Sequence, residues 1–279
     1  MTAHDEDLRR LSTEAVGSDF RDLDKASTAE ILRVISTQDA LVAPAVAKAL
    51  PAIEATVEAA VQAIRNGGRI VYVGAGTSGR IGVLDAAECG PTFNAADIVI
   101  AVIAGGFDAM IRAVEGAEDD GAAAIADLER VHITSRDLVI GLTASGRTPY
   151  VRSAVEHAHA LGAATAGVSC NLNAELNAIV DHAIAVETGP EVIAGSTRMK
   201  AATAQKMILN MISSTTMVRL GRTYGNMMSD LSVSNEKLRR RAIRIIAQVA
   251  GRAETEAEAA LDAHAGDVRA AVDALTASR

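Results

Sequence analysis

An α/β fold built on a five-stranded parallel sheet is predicted by three observations. Five short β-branched runs recur after residue 69, each apolar on both faces. The intervals between them are long enough to hold a helix, and the loops that follow the first and third runs are rich in glycine and hydroxyl residues. Taking the elements in chain order, the first sixty or so residues read as helical. Ser27-Thr28-Ala29-Glu30 fits a capping box ahead of Ile31, Leu32, Val34 and Ile35. A second helix follows Pro51, with Ile53, Val57, Ala60, Val61 and Ile64 at helical spacing, and Gly67-Gly68 ends it. The strand runs are Ile70 to Val73, Ile98 to Ile103, Leu138 to Leu142, Ala163 to Val168 and Ala183 to Val186. A long Ala- and Met-rich helix is expected from about Thr197 to Leu220, and the chain after Asn235 reads as a small helical appendage. The expected division is a helical segment over 1–60, the sheet domain over 61–222 and the appendage over 223–279.

Composition narrows the function classes. With 279 residues, 49% hydrophobic and 22% charged, the chain can bury a full core. A net charge of −8 argues against a nucleic-acid surface, and zero Trp with three Tyr and three Phe leaves no stacking platform. The basic stretch Lys237 to Arg241 sits beside Ile243, Ile245 and Ile246 and reads as a solvated helix face. No apolar run approaches the ~20 residues of a membrane span, and the start is polar and acidic, unlike a signal peptide, so a cytoplasmic protein is expected. Cys89 and Cys170 lie outside any C-x-x-C pattern and read as buried thiols. His157 and His159 fall on different helix faces and the other histidines are scattered, so no histidine metal site is expected.

The loops after the strands carry the chemistry, because ligands of such sheets sit beyond the strands' carboxyl ends. Ile70 to Val73 runs into Gly74-Ala75-Gly76-Thr77-Ser78-Gly79-Arg80, formally a G-x-G-x-x-G dinucleotide fingerprint. The second strand, however, ends Ile103-Ala104-Gly105-Gly106 without the carboxylate a ribose requires. Thr77 and Ser78 hydroxyls beside exposed glycine amides suit a monophosphate better than a pyrophosphate. Thr143-Ala144-Ser145-Gly146-Arg147-Thr148-Pro149 is a second loop of the same kind. A capped turn explains either loop alone; two on neighbouring strands are far more specific. Gly195-Ser196-Thr197-Arg198-Met199-Lys200 adds hydroxyls, a helix start and two cations, a pattern that a plain capped helix explains equally well.

Two acidic stretches complete the candidates. Asp85-Ala86-Ala87-Glu88-Cys89-Gly90-Pro91 sets two acids at helical spacing before an expected Gly-Pro stop. Glu88, among small and apolar residues, is a candidate general acid whose partial desolvation would raise its pKa. The cluster Glu115-Gly116-Ala117-Glu118-Asp119-Asp120 reads by itself as a solvated face.

Taken together, GAGTSGRIGVLDAAECGPTF, EGAED, ASGRTPYV, GPEVIAGSTRMKAATAQK with LNMIS, the YGNMM to NEKL stretch and STAEILRVIS resemble the N-acetylmuramic acid 6-phosphate etherase family of the sugar isomerase (SIS) fold group. The resemblance spans most of the chain in order. It implies a three-layer SIS fold and a lyase that cleaves the D-lactyl ether to give N-acetylglucosamine 6-phosphate and D-lactate. Ring opening makes the C2 proton acidic, a carboxylate removes it, lactate leaves C3 and water adds back, with no cofactor or metal. By the same resemblance Glu88 is the proton donor to lactate and Glu118 the second acid–base residue. Ser78, Ser145, Thr148 and Ser196 hold phosphate, with Gly76, Thr77, Glu115 and Gly146 in the binding set, and a homodimer is implied. Arg147, Arg198 and Lys200 are candidates, by charge alone, to meet the lactyl carboxylate. Gly90, Ala202 and Thr143 depart from the family's usual proline, glycine and alanine, and the tail is short for the family. Two other readings share the fold: a sugar-phosphate sensor acting through a protein partner, and an aldose–ketose isomerase. The presence of both glutamates favours the lyase.

Overall fold

The computed structural model describes residues 11–18, 21–228 and 236–277. The acidic start, Asn235 with the middle of the 224–238 motif, and the last two residues lie outside the described residues. Among the rest, residues 11–18 form turns, and three helices follow: α1 (Thr28–Asp39), α2 (Val42–Ala47) and α3 (Leu50–Arg65). The capping box is formed as expected, with Glu30 N–H donating to Ser27 Oγ at 3.3 Å and Ser27 N–H to Glu30 Oε2 at 2.8 Å. Gly67, at φ +78°, turns the chain out of α3.

Five parallel strands then form one sheet in the order β2-β1-β3-β4-β5: β1 (Ile70–Gly74), β2 (Val99–Ile103), β3 (Leu138–Leu142), β4 (Ala164–Ser169) and β5 (His182–Ala185). Each lies within a residue or two of its predicted run. Between them run α4 (Gly76–Phe93), the short α5 (Asp108–Ile111), α6 (Gly121–Arg130) and α7 (Pro149–Ala160), and α8 (Lys200–Arg219) follows β5. The period-two alternation of β1 divides the core. Ile70 and Tyr72 pack with Val57 and Val61 of α3 and Ile208, Leu209 and Ile212 of α8, whereas Val71 and Val73 pack with Leu128 of α6 and Val151 and Val155 of α7. The result is three layers, helix on sheet on helix.

Two boundaries differ from the sequence reading. α4 does not stop at Gly90-Pro91 but runs on to Phe93, where Asn94 takes the left-handed conformation at φ 51° and donates its N–H to Gly90 O. Pro91 lacks the N–H that would reach the Ala87 carbonyl. Ala87 is exposed, so water can take that bond and the proline is tolerated. α8 begins at Lys200, three residues later than expected, for a reason given below.

A small antiparallel pair, β6 (Thr223–Tyr224) and β7 (Met227–Met228), leads to α9 (Glu236–Ala250), α10 (Glu254–Ala263) and α11 (Val268–Ala277). These three helices enclose their own core of Ile245, Ile246, Leu261, Val268 and Val272. The basic stretch is partly consumed here: Arg239 pairs with Glu258 at 3.0 Å and Asp262 at 2.7 Å, and Arg240 with Glu236 at 2.9 Å. Cys89 and Cys170 are buried free thiols. No single helix among the described residues is long and apolar enough to cross a membrane.

Candidate functional site

The β1–α4 turn is built by close backbone approach. A Cβ on Gly79 would lie 2.7 Å from both Gly74 O and Ile103 Cγ1, so only glycine lets the first turn of α4 press against the strand ends. This turn carries Ser78, which is buried, and opens α4 with no side chain capping its first amides. Those free amides and the helix dipole make a ready anion site.

The β3–α7 turn is organised by its hydroxyls. Thr143 Oγ1 lies 2.8 Å from Thr148 Oγ1 and 3.3 Å from Ser145 Oγ, and it accepts the Gly146 N–H at 3.2 Å. Gly146, at φ +76°, packs so closely that a Cβ would sit 2.2 Å from that of Ala174. Since β1 and β3 are neighbours in register, with Gly74 beside Leu142, the two turns leave the same edge of the sheet side by side.

The acidic cluster after β2 splits into two roles. Asp120 caps α6, accepting the Ala123 N–H at 2.9 Å. Glu115 and Glu118 instead line a cavity of about 180 Å³ together with Ala75, Gly76 and Arg80 of the β1–α4 turn. Gly116, at φ +74°, makes the bend that brings both glutamates there. Both side chains remain solvent-exposed, as the solvated-face reading expects, and they also border this cavity. Arg80, which the sequence reading quoted only as part of a motif, is the cation of this cavity.

Glu88 is elsewhere. It stands on an exposed stripe of α4 formed with Leu84, Ala87 and Pro91, not in the desolvated setting expected for it. Ten residues separate it from Ser78, which is about 15 Å along the helix axis. One turn earlier on α4, about 60° round the helix from Glu88, lies a buried polar group: Asp85 accepts from Lys206 of α8 at 2.5 Å and from Tyr72 OH at 3.1 Å. Burial, with Asp85 nearby, pushes the Tyr72 phenol well above its ordinary pKa and the Cys89 thiol to about 11. Tyr72 and Cys89 therefore stay protonated, and the group serves to fasten α4 to α8 and β1.

The third expected loop is arranged differently from the sequence reading. Glu191, fully buried, accepts the Lys200 N–H at 3.0 Å and the Ala201 N–H at 2.9 Å. Its carboxylate already occupies the amino end of α8, which is why the helix starts at Lys200 and why that end is not open to phosphate. Lys200 is buried and donates to Gln38 Oε1 of α1 at 2.8 Å. Burial depresses its pKa, an effect the carboxylates of Glu191 and Asp39 oppose. Lys200 is thus turned away as a partner for a substrate carboxylate, and Arg147 is held by Glu175 at 3.0 Å. Arg198 is exposed, and Ser196 and Thr197 are half-buried in the preceding turn.

Residues 52–159 match the glucokinase regulatory protein N-terminal SIS domain family, residues 120–215 the SIS domain family and residues 225–275 the C-terminal lid domain of glucokinase regulatory protein. Over 99% of its length the chain is 50% identical to the N-acetylmuramic acid 6-phosphate etherase of Streptomyces coelicolor, covering 90% of that protein. It is 49% identical over 95% of its length to the etherase of Geobacillus thermodenitrificans, again covering 90%. Among solved structures, the phosphoheptose isomerase of Neisseria gonorrhoeae superposes with a TM-score of 0.52 at 14% identity, covering 68% of this chain and 98% of that one. The NanR protein of Vibrio vulnificus, solved with ManNAc-6P, gives 0.51 at 15% identity, covering 69% of this chain and 65% of that one. The sheet and its flanking helices are a SIS fold.

Proposed function

The chain belongs to the N-acetylmuramic acid 6-phosphate etherase family, a family of lyases, and from that premise we propose how its residues divide the work. The substrate's phosphate sits on the first turn of α4, bonded by Ser78, the neighbouring amides of Gly76 and Thr77, and the Ser145–Thr148 turn. Glu118 works from the cavity beside that turn on the C2–C3 region of the opened sugar. Elimination expels D-lactate and hydration of the unsaturated aldehyde gives N-acetylglucosamine 6-phosphate. The observation that carries this reading is the cavity that Glu115 and Glu118 share with the mouth of α4.

Glu88 enters from a second copy of the chain. Six bonds separate phosphorus from C2, a span under about 9 Å at roughly 1.5 Å per bond. A phosphate held above the first turn of α4 therefore keeps C2 out of reach of a Glu88 that lies about 15 Å further down the same helix. Leu84, Ala87 and Pro91 make the exposed surface around Glu88 apolar, and α1 and its neighbours expose Leu32, Leu41 and Leu50. A homodimer covering the α4 stripe would take Glu88 out of bulk water and place it in a site shared between the two chains. The test is incubation with N-acetylmuramic acid 6-phosphate. Released D-lactate supports the lyase; a ketose product, or saturable binding without turnover, would replace it with the isomerase or the sensor.

A further inference from the structure

Ser12 and Thr13 lie against the residues that follow β4, and the phosphate chemistry above makes no use of them. Their anchor is Asn171, just past β4 and 5% exposed. Its Oδ1 accepts from Ser12 N–H at 2.8 Å and Ser12 Oγ at 3.0 Å, and its Nδ2 donates to Thr13 Oγ1 at 3.1 Å and to the Ala144 carbonyl at 3.0 Å. Each end of the amide meets the complementary kind of partner, so neither aspartate nor a reversed amide satisfies the site. Thr13 is fully buried beneath it. Ala144 immediately precedes Ser145, and its carbonyl also takes the Cys170 N–H at 2.9 Å. Asn171 thus joins two segments 131 residues apart, Thr13 and Ala144, through one side chain. The next residue, Glu14, is exposed, and its Oε2 lies 3.7 Å from where a Cβ on Gly195 would be. Its carboxylate therefore rests against the Gly195–Ser196 turn.

We propose that Asn171 is a positioning residue of the substrate site, locking the Ser145–Thr148 turn and the 12–14 segment into one wall from which Glu14 faces the sugar. A carboxylate repels a phosphate dianion and accepts from O–H and N–H groups, so Glu14 reads the hexosamine and keeps the phosphate on the Ser78 side. This inference rests on the phosphate reading of the Ser145 turn.

The experiment titrates wild type, Glu14→Gln, Asn171→Ala and Asn171→Asp with inorganic phosphate and with glucosamine 6-phosphate, alongside kcat, KM and Tm. Glu14→Gln should keep the wild-type Tm and inorganic phosphate affinity and bind glucosamine 6-phosphate roughly tenfold more weakly, the loss of one charge-assisted hydrogen bond. Asn171→Ala, assayed well below its Tm, should raise KM about tenfold or more with kcat within about threefold. Asn171→Asp should do the same at neutral pH and recover part of its KM near pH 5, where protonation supplies a donor to the Ala144 carbonyl. Wild-type glucosamine 6-phosphate affinity in Glu14→Gln, a folded Asn171→Ala with normal KM, or a loss in kcat alone would each overturn the proposal. The phosphate reading fails separately, if inorganic phosphate does not bind wild type or binds Ser78→Ala unchanged.

Discussion

The two ends of α4 are built on opposite plans. At its first turn, Gly74 and Gly79 press backbone on backbone and Ser78 is buried, so the partners proposed for the phosphate there all come from the same chain. At its far end, Glu88 stands among exposed Leu84, Ala87 and Pro91, about 15 Å along the helix from the turn proposed to hold the phosphate. The first end is finished when the chain folds. The second has the composition of an interior surface and the exposure of an outer one, which is what an element completed by assembly looks like before it assembles.

Breaking the far end should have the largest effect. Glu88→Gln should bind substrate and lose turnover by about 10²- to 10⁴-fold, the usual contribution of general acid–base work; D-lactate release measures it, and an unchanged rate would remove Glu88 from the chemistry. Breaking the near end by geometry comes next. Gly146→Ala adds a left-handed alanine and a clash with Ala174, together costing about 3 kcal/mol in stability or in displacement of the Ser145 turn. Denaturant unfolding and KM read the two outcomes. Removing one hydroxyl is milder: Ser78→Ala should raise KM about tenfold, as for one hydrogen bond to a charged group, with kcat little changed.

A smaller effect separates fold from assembly. Asp137 accepts from Arg69 N–H, Nε and Nη2 and from Thr134 N–H at the start of β3. Burial works to raise its pKa, but the bonds from Arg69 and Thr134 outweigh burial and hold it below the ordinary carboxylate value. A depressed folded-state pKa means the stabilisation is present above the unfolded value of about 3.9 and is lost as pH falls through the lower folded value. Acid unfolding should therefore steepen below about pH 4, and Asp137→Asn should flatten that part of the curve without changing the activity ratio between Glu88 and Ser78 variants.

What was legible in the sequence was local. The capping box at Ser27, the five strands and the glycine turn at Gly76–Arg80 each depend on residues a few positions apart, and each folds as the spacing indicates. Misreadings arose where the deciding partner is remote. The start of α8 is set by Glu191, nine residues upstream of Lys200, and Lys200 itself is taken by Gln38 from α1. The run of α4 through Pro91 depends on Ala87 facing water. Asn171 draws its partners from the amino-terminal segment and from the turn after β3, and no local pattern marks it. Glu115 and Glu118 are exposed, as their charge density indicates, but charge density alone does not show that they also border the α4 turn.

The central claim, that one site takes Glu118 from one chain and Glu88 from another, is tested most directly by mixing two inactive variants. Glu88→Gln and Glu118→Gln chains, refolded together in equal amounts, should give dimers of which half are mixed, each with one intact site. About a quarter of wild-type D-lactate release should then return. Activity no greater than that of either variant alone would show that each chain builds its site unaided, and would contradict the account.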